Sequence, residues 1–223
     1  MKKMIRTNKW KLIVSSIVIL LPALAGAIMW DMLPEKMPIH FGADGNADRW
    51  GGKLFTITVI PAIILILHWV CLLATFADPK NRDQTKKALG MIFWICPIIS
   101  VLASVIIYAM SLGIDLSVSF IVTILAGIMF VLIGNYLPKC KQNHTFGIRI
   151  KWTLENEENW NATHRFCGKI MVCGGFLTMA CVFLPKAVIP YVLIAILVTL
   201  ILITLIYSYV YHRKHLRAGT EKK

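Results

Sequence analysis

Residues 88–138 read ALGMIFWICPIISVLASVIIYAMSLGIDLSVSFIVTILAGIMFVLIGNYLP, 51 positions of which only Asp115 is charged. A membrane-spanning helix needs about 20 apolar residues to cross roughly 30 Å of hydrocarbon at about 1.5 Å per residue. The stretch is long enough for two crossings, 88–114 and 116–138, joined by a short turn near Asp115. Outward from it lie four more uncharged stretches, 12–30, 54–77, 170–185 and 187–212. The stretch 170–185 has 16 residues and reaches about 24 Å at helical rise. It is expected to cross only where Lys169 snorkels or the bilayer thins. Six crossings predict an all-α integral membrane protein, a bundle of six transmembrane helices.

Orientation follows from the cations. Lys2, Lys3, Arg6, Lys9 and Lys11 precede the first crossing, and Lys80, Arg82, Lys86 and Lys87 lie between the second and third. Lys139, Lys141, Arg149, Lys151, Arg165 and Lys169 lie between the fourth and fifth, and Arg213, Lys214, Arg217, Lys222 and Lys223 follow the sixth. These twenty share one side, against Lys36, Arg49, Lys53 and Lys186 on the other. Lys and Arg accumulate on cytoplasmic loops, so both termini are expected in the cytoplasm. The basic start, the run Leu12–Leu21 and Ala23-Leu24-Ala25 resemble a signal peptide. The apolar run continues through Gly26–Trp30, so an uncleaved first span is expected.

The chain is 57% hydrophobic and 16% charged, with mean hydropathy +0.69, which leaves no room for a separate soluble domain. A net charge of +13 raises nucleic acid as a partner, but no helix-turn-helix, zinc finger or aromatic RNA-binding motif accompanies it. No direct nucleic-acid binding is expected. The cations are read as fixing topology and meeting anionic membrane lipids. Cys140, His144, His164 and Cys167 are zinc-ligand types at a non-standard spacing, and no metal or cofactor is expected. The absence of HExxH, GxSxG and paired intramembrane aspartates argues against an enzyme.

Two connections carry the candidate residues. The outer one, 33–53, is rich in Gly, Pro, Asn and Asp and is expected as a turn-rich loop. Asp44, Asn46 and Asp48 resemble the opening of a calcium loop, but Arg49 stands where the turn glycine belongs and Phe55 where the bidentate Glu belongs. Asx-turn chemistry is the simpler explanation. His40, Phe41, Asp48, Arg49 and Trp50 are the candidate outward-facing contacts, with Phe41 and Trp50 as aromatic anchors. The inner one, 139–169, combines Arg149, Trp152, Glu157, Glu158, Trp160 and Arg165, the candidate cytoplasmic partner surface. Thr153 is a plausible N-cap for a surface helix leading into the fifth crossing. Trp160, His164, Cys167 and Met171 would share one face of it. His68 is a lone polar side chain deep in a span, a functional candidate whose competing role is a neutral His bonded to a neighbouring helix. Small residues at Ala126, Gly127 and Gly134, and at Gly174, Thr178 and Cys181, mark close helix approaches.

Leu33-Pro34, Pro38-Ile39-His40-Phe41, Gly45, Asp48 and Trp50 resemble the first-loop signature of a bacterial membrane domain of unknown function, the DUF1648 type. Gly134-Asn135-Tyr136-Leu137-Pro138, Phe146-Gly147-Ile148-Arg149, Trp152-Thr153-Leu154, Asn159-Trp160, Thr163-His164-Arg165 and Gly168 resemble the SdpI module. One departure is Lys151 before Trp152, where the family pattern has proline. The resemblance implies a DUF1648-like hairpin over 12–77 and an SdpI-like four-helix module over 88–212, multi-pass in a bacterial cell membrane. It further implies immunity to a secreted antimicrobial peptide toxin, extending to sensing it and relaying its presence to a cytoplasmic transcriptional repressor. A small transporter or channel is the competing class. It has thin support, because beside His68 only Asp31 and Asp115, at span ends, are ionisable.

Overall fold

A computed structural model describes residues 2–42, 44–84 and 86–220. Lys222 and Lys223 lie outside the described residues, as do the side chains of Lys2, Lys3, Arg82, Lys86, Lys87 and Arg217. Among the described residues, six helices are long and apolar enough to cross a membrane: Lys9–Ile28, Phe55–Ala77, Leu89–Ser111, Val118–Lys139, Glu157–Phe183 and Ile189–Lys214. The chain divides into two compact units, Met1–Arg82 with Lys86–Val118, and Asp83–Thr85 with Ser119–Lys223. The third crossing packs in the first unit, whereas the sequence modules divide before it at 88.

The first unit holds α1 (Lys2–Thr7), α2 (Lys9–Ile28), β1 (Lys36–Phe41), β2 (Ala47–Gly52), α3 (Ile60–Ala77) and α4 (Lys86–Ser111). The outer loop, expected as turn-rich, also holds a pair of strands. β1 and β2 pair antiparallel from Lys36↔Gly52 to Phe41↔Ala47, with irregular register around His40. Met37 and Pro38 are buried while Lys36 and His40 are exposed, and Gly45 takes the positive φ (80°) of the reversal. The chain enters α3 through a wide turn, Phe55–Val59. Pro61 cannot donate to a carbonyl four residues back, and a widened turn before it absorbs the mismatch. Leu33, Met37, Ile57, Ile107 and Tyr108 form one core cluster, and Leu12, Leu72, Phe76 and Phe93 another. Gly113 (φ 82°) ends α4, where the Ile114 amide reaches the Ala109 carbonyl at 3.0 Å. This is a glycine-terminated helix stop.

The second unit holds α5 (Val118–Tyr136), α6 (Lys151–Glu155), α7 (Glu157–Ala180) and α8 (Ile189–Thr220). In its fifth candidate span the helix extends well beyond the short uncharged stretch 170–185. α7 starts at Glu157 and continues into the apolar run without a break, so the helix through Phe183 has 27 residues and reaches about 40 Å. Glu157, Arg165 and Lys169 hide this continuity from a count of uncharged positions. α5 and α7 touch backbone to backbone. A Cβ on Gly127 would lie 2.7 Å from the Gly175 carbonyl oxygen, and one on Gly134 2.7 Å from that of Gly168. In both units large apolar side chains such as Ile66, Val70, Ile194 and Ile206 point outward, and polar ones such as Ser15, Ser100, Thr178 and Ser208 point in. Lipid offers no hydrophobic drive between helices, so small and polar residues form the contacts instead.

Candidate functional site

The inner connection is a folded structure in which polar groups are paired one by one. Asn156, not Thr153, caps α7, its side-chain oxygen accepting the Asn159 amide at 2.8 Å. Thr153 is buried and closes the turn before α6: its Oγ1 accepts the Ile150 amide (3.1 Å) and donates toward the Ile148 and Ile150 carbonyls. Asn143, fully buried, accepts the amides of Thr145 and Phe146, each at 2.8 Å. Gln142 donates to the carbonyls of Thr153 and Leu154 at 2.8 and 2.9 Å. Gln84 exchanges two hydrogen bonds with the Lys141 backbone, at 2.6 and 3.1 Å.

Two aromatic clusters hold this loop to the helices. In the first, the Trp160 indole donates to the Cys140 carbonyl at 2.8 Å and stacks on His164 with centroids 4.0 Å apart. His164 Nε2 accepts the Ile148 amide at 3.1 Å. The proton therefore sits on Nδ1, which donates to the Trp160 carbonyl at 2.8 Å. Gly147 is required beside it: its φ is 102°, and a Cβ would lie 2.6 Å from His164 Nε2. In the second, the Trp152 indole donates to Ser208 Oγ at 2.8 Å. Ser208 and Thr163 hydroxyls both donate to Asn159 Oδ1, and Asn159 Nδ2 donates to the Ser208 carbonyl. Trp152 also stacks on His212 and meets Tyr209 edge-on.

The expected inner surface therefore splits in two. Arg149, Glu157, Glu158 and Arg165 are exposed, and Arg149 donates to the His144 carbonyl at 2.6 Å. Trp160 is fully buried and Trp152 half-buried, so these two fasten the loop and do not present a face. The zinc-type residues are spent elsewhere. Both His164 nitrogens are paired, and the Cys167 thiol lies 3.1 Å from Thr204 Oγ1. Burial pushes the Cys140 thiol up to about 11. No group of three metal-ligating side chains occurs among the described residues.

In the first unit, His40, Asp48, Arg49 and Trp50 are exposed on the hairpin. His40 Nδ1 and Asp48 Oδ1 are 2.6 Å apart. Phe41 instead turns inward onto the Leu33–Met37–Ile57 cluster. The Asn46 amide and side chain both donate to Asp44, which holds that carboxyl below the usual range. The carboxylates of the calcium-like run are thus engaged within the hairpin. Lys53, which sequence reasoning missed, is only 6% exposed. Its Nζ lies 3.0 Å from the Trp30 carbonyl and from Glu35 Oε1, above the Trp30 ring.

His68 is fully buried in the same unit, with Nε2 2.9 Å from Ser15 Oγ. Ser15 gives its hydrogen to the Leu12 carbonyl at 3.1 Å, so His68 Nε2 donates and Nδ1 is left bare. Nδ1 has no hydrogen-bond partner among the described residues. The pair is not arranged as nucleophile and base, because the Ser15 hydrogen is directed away from the imidazole.

Residues 139–208 match the SdpI/YfhL protein family, and residues 17–65 match the domain of unknown function DUF1648. The chain is 28% identical over 204 residues to the immunity protein SdpI of Bacillus subtilis (strain 168), covering 92% of this chain and 97% of that protein. No solved structure matches.

Proposed function

We propose that this chain, a multi-pass bacterial membrane protein whose residues 139–208 belong to the SdpI/YfhL family, confers immunity to a secreted antimicrobial peptide toxin. The observation that carries this is collinearity. The similarity to an immunity protein runs through 97% of that protein's length, so both the outer hairpin and the inner loop have counterparts. The exposed hairpin residues His40, Asp48, Arg49 and Trp50 are the toxin-facing set, with Phe41 fixing the hairpin from below. The exposed charges Arg149, Glu157, Glu158 and Arg165 are the surface for a cytoplasmic repressor, the sensing half of the same reading.

Deleting the gene and challenging the strain with its own culture supernatant and with neighbours' peptides tests the proposal. The deletion strain should lose viability at supernatant dilutions the parent tolerates, and the wild-type gene should restore tolerance. Asp48→Ala with Trp50→Ala should reduce protection at least tenfold at normal membrane levels. Reversing Glu157 and Glu158 to Lys should leave protection and abolish toxin-dependent transcription. Equal sensitivity of the deletion strain and its parent to every peptide tried would overturn the reading.

A further inference from the structure

The hairpin β1–β2 has two unlike faces. Met37 pairs with Gly51 and Pro38 with Trp50, and successive pairs of an antiparallel ribbon point to opposite sides. Met37 is fully buried on the cluster with Leu33 and Ile57. The Trp50 side is therefore the one turned away from the bundle, and Trp50 is 57% exposed. The apolar cluster holds the hairpin down, but burial of apolar surface is non-directional and fixes no angle about the base. A directional contact is needed for that.

Lys53 supplies it. Its amide donates to the Glu35 carbonyl at 2.9 Å, closing the hairpin just outside its first pair, Lys36↔Gly52. Its side chain then leaves the hairpin. The ammonium donates to the Trp30 carbonyl at 3.0 Å, meets Glu35 Oε1 at 3.0 Å and stands 4.9 Å from the centre of the Trp30 ring. Trp30 lies two residues beyond the end of α2 at Ile28, where carbonyls lack helical amides and attract a cation. One ammonium thus ties the end of α2 to both legs of the hairpin. It does so from a position that lysine rarely occupies, because a buried charge must be matched by partners.

We propose that Lys53 is the positioning residue of the outer hairpin: its ammonium fixes the angle of β1–β2 on the end of α2 and so sets how Asp48, Arg49 and Trp50 are presented. The effect on protection rests on the reading of those residues as toxin-facing. The effect on the hairpin does not.

Lys53→Met tests it, because the stem against the Trp30 ring is kept and only the ammonium is lost. Met37→Cys, and separately Leu33→Cys, report on the buried side of the hairpin in a full-length form freed of its native cysteines. Their labelling by an impermeant maleimide should be at least fivefold faster with Lys53→Met. Lys53→Arg, which offers donors to both partners, should return the rate to within twofold of the parent. The milder Glu35→Gln should raise it at least twofold. In the otherwise native chain, Lys53→Met should reduce protection at least fivefold at normal membrane levels, and Lys53→Arg should not. Added to Asp48→Ala with Trp50→Ala, Lys53→Met should cost less than a further twofold, since it acts through those side chains. A merely stabilising residue would add its own loss. Unchanged labelling in both cysteine forms, full protection by Lys53→Met, or additive losses in the combined variant would each overturn the proposal. Depletion of Lys53→Met from membranes would make the residue structural and overturn it as well. If the labelling shifts as expected while the deletion strain keeps the parent's tolerance, the immunity reading fails and the positioning of the hairpin stands.

Discussion

At the scale of single residues, Ser208 shows how one small polar side chain organises the inner connection. It sits in an apolar run on α8, yet it accepts from Trp152, donates to Asn159 and contacts Thr163. Removing its hydroxyl leaves the Trp152 indole N–H and the Asn159 oxygen short of a partner in a buried place, which costs about 1–3 kcal/mol. Ser208→Ala should therefore lower the unfolding midpoint of the detergent-solubilised protein by several degrees, whereas Ser117→Ala, between α4 and α5, should change it little. Equal midpoints would show that the cluster contributes nothing measurable. Part of this network was legible in advance. The face Trp160–His164–Cys167 was visible from its spacing, and burial of all three follows that face. The partners were not visible, because Ser208 and Cys140 lie 48 and 20 residues from Trp160 and nothing local marks them. The same limit hid Lys53. A lysine beside two glycines reads as solvated, and only the tertiary approach of Trp30 and Glu35 makes it interior.

At the scale of elements, the crossing of α5 and α7 is set by glycines seven residues apart on each helix. Gly127 faces Gly175 and Gly134 faces Gly168, with reciprocal approaches of 2.6–2.7 Å for an added Cβ. A methyl at any of the four meets backbone, which cannot rotate away, so the helices must separate along their length. Overpacking of this kind costs about 1–3 kcal/mol per site. Gly168→Ala and Gly175→Ala together should deplete the protein from membranes several-fold and lower its unfolding midpoint. Gly90→Ala, where an added Cβ meets nothing within 4 Å, should do neither. Immunoblotting of membranes with a thermal melt reads both. The small-residue stripes on these helices were evident in the sequence, but the face was not. Gly174, the more obvious choice, meets Leu200 of α8 instead. The outer hairpin was obscured for a different reason. Its strands contain Pro38, Gly51 and Gly52, residues that local preference assigns to loops. Their pairing is favoured by burial of Met37 and Phe41 on the cluster below.

At the scale of the whole molecule, the expected orientation rests on the distribution of cations. Twenty Lys and Arg fall on the segments assigned to the cytoplasm and four on the others. Of those four, Lys53 is tied to Glu35 and the Trp30 carbonyl, which leaves Lys36, Arg49 and Lys186 to oppose the inner twenty. Retention of short basic loops on the cytoplasmic side depends on such local excess and not on net charge. The helix Glu157–Phe183 is among the six long and apolar enough to cross, and six crossings would put both termini on one side. The resulting expectation is specific to two exposed positions that carry no cation. In a form freed of its native cysteines, Gly52→Cys should react with an impermeant maleimide on intact cells within minutes. Glu155→Cys should stay unlabelled until the membrane is permeabilised. Labelling of Glu155→Cys alone would invert the orientation, place the hairpin in the cytoplasm and remove the outer surface on which recognition of a secreted peptide depends.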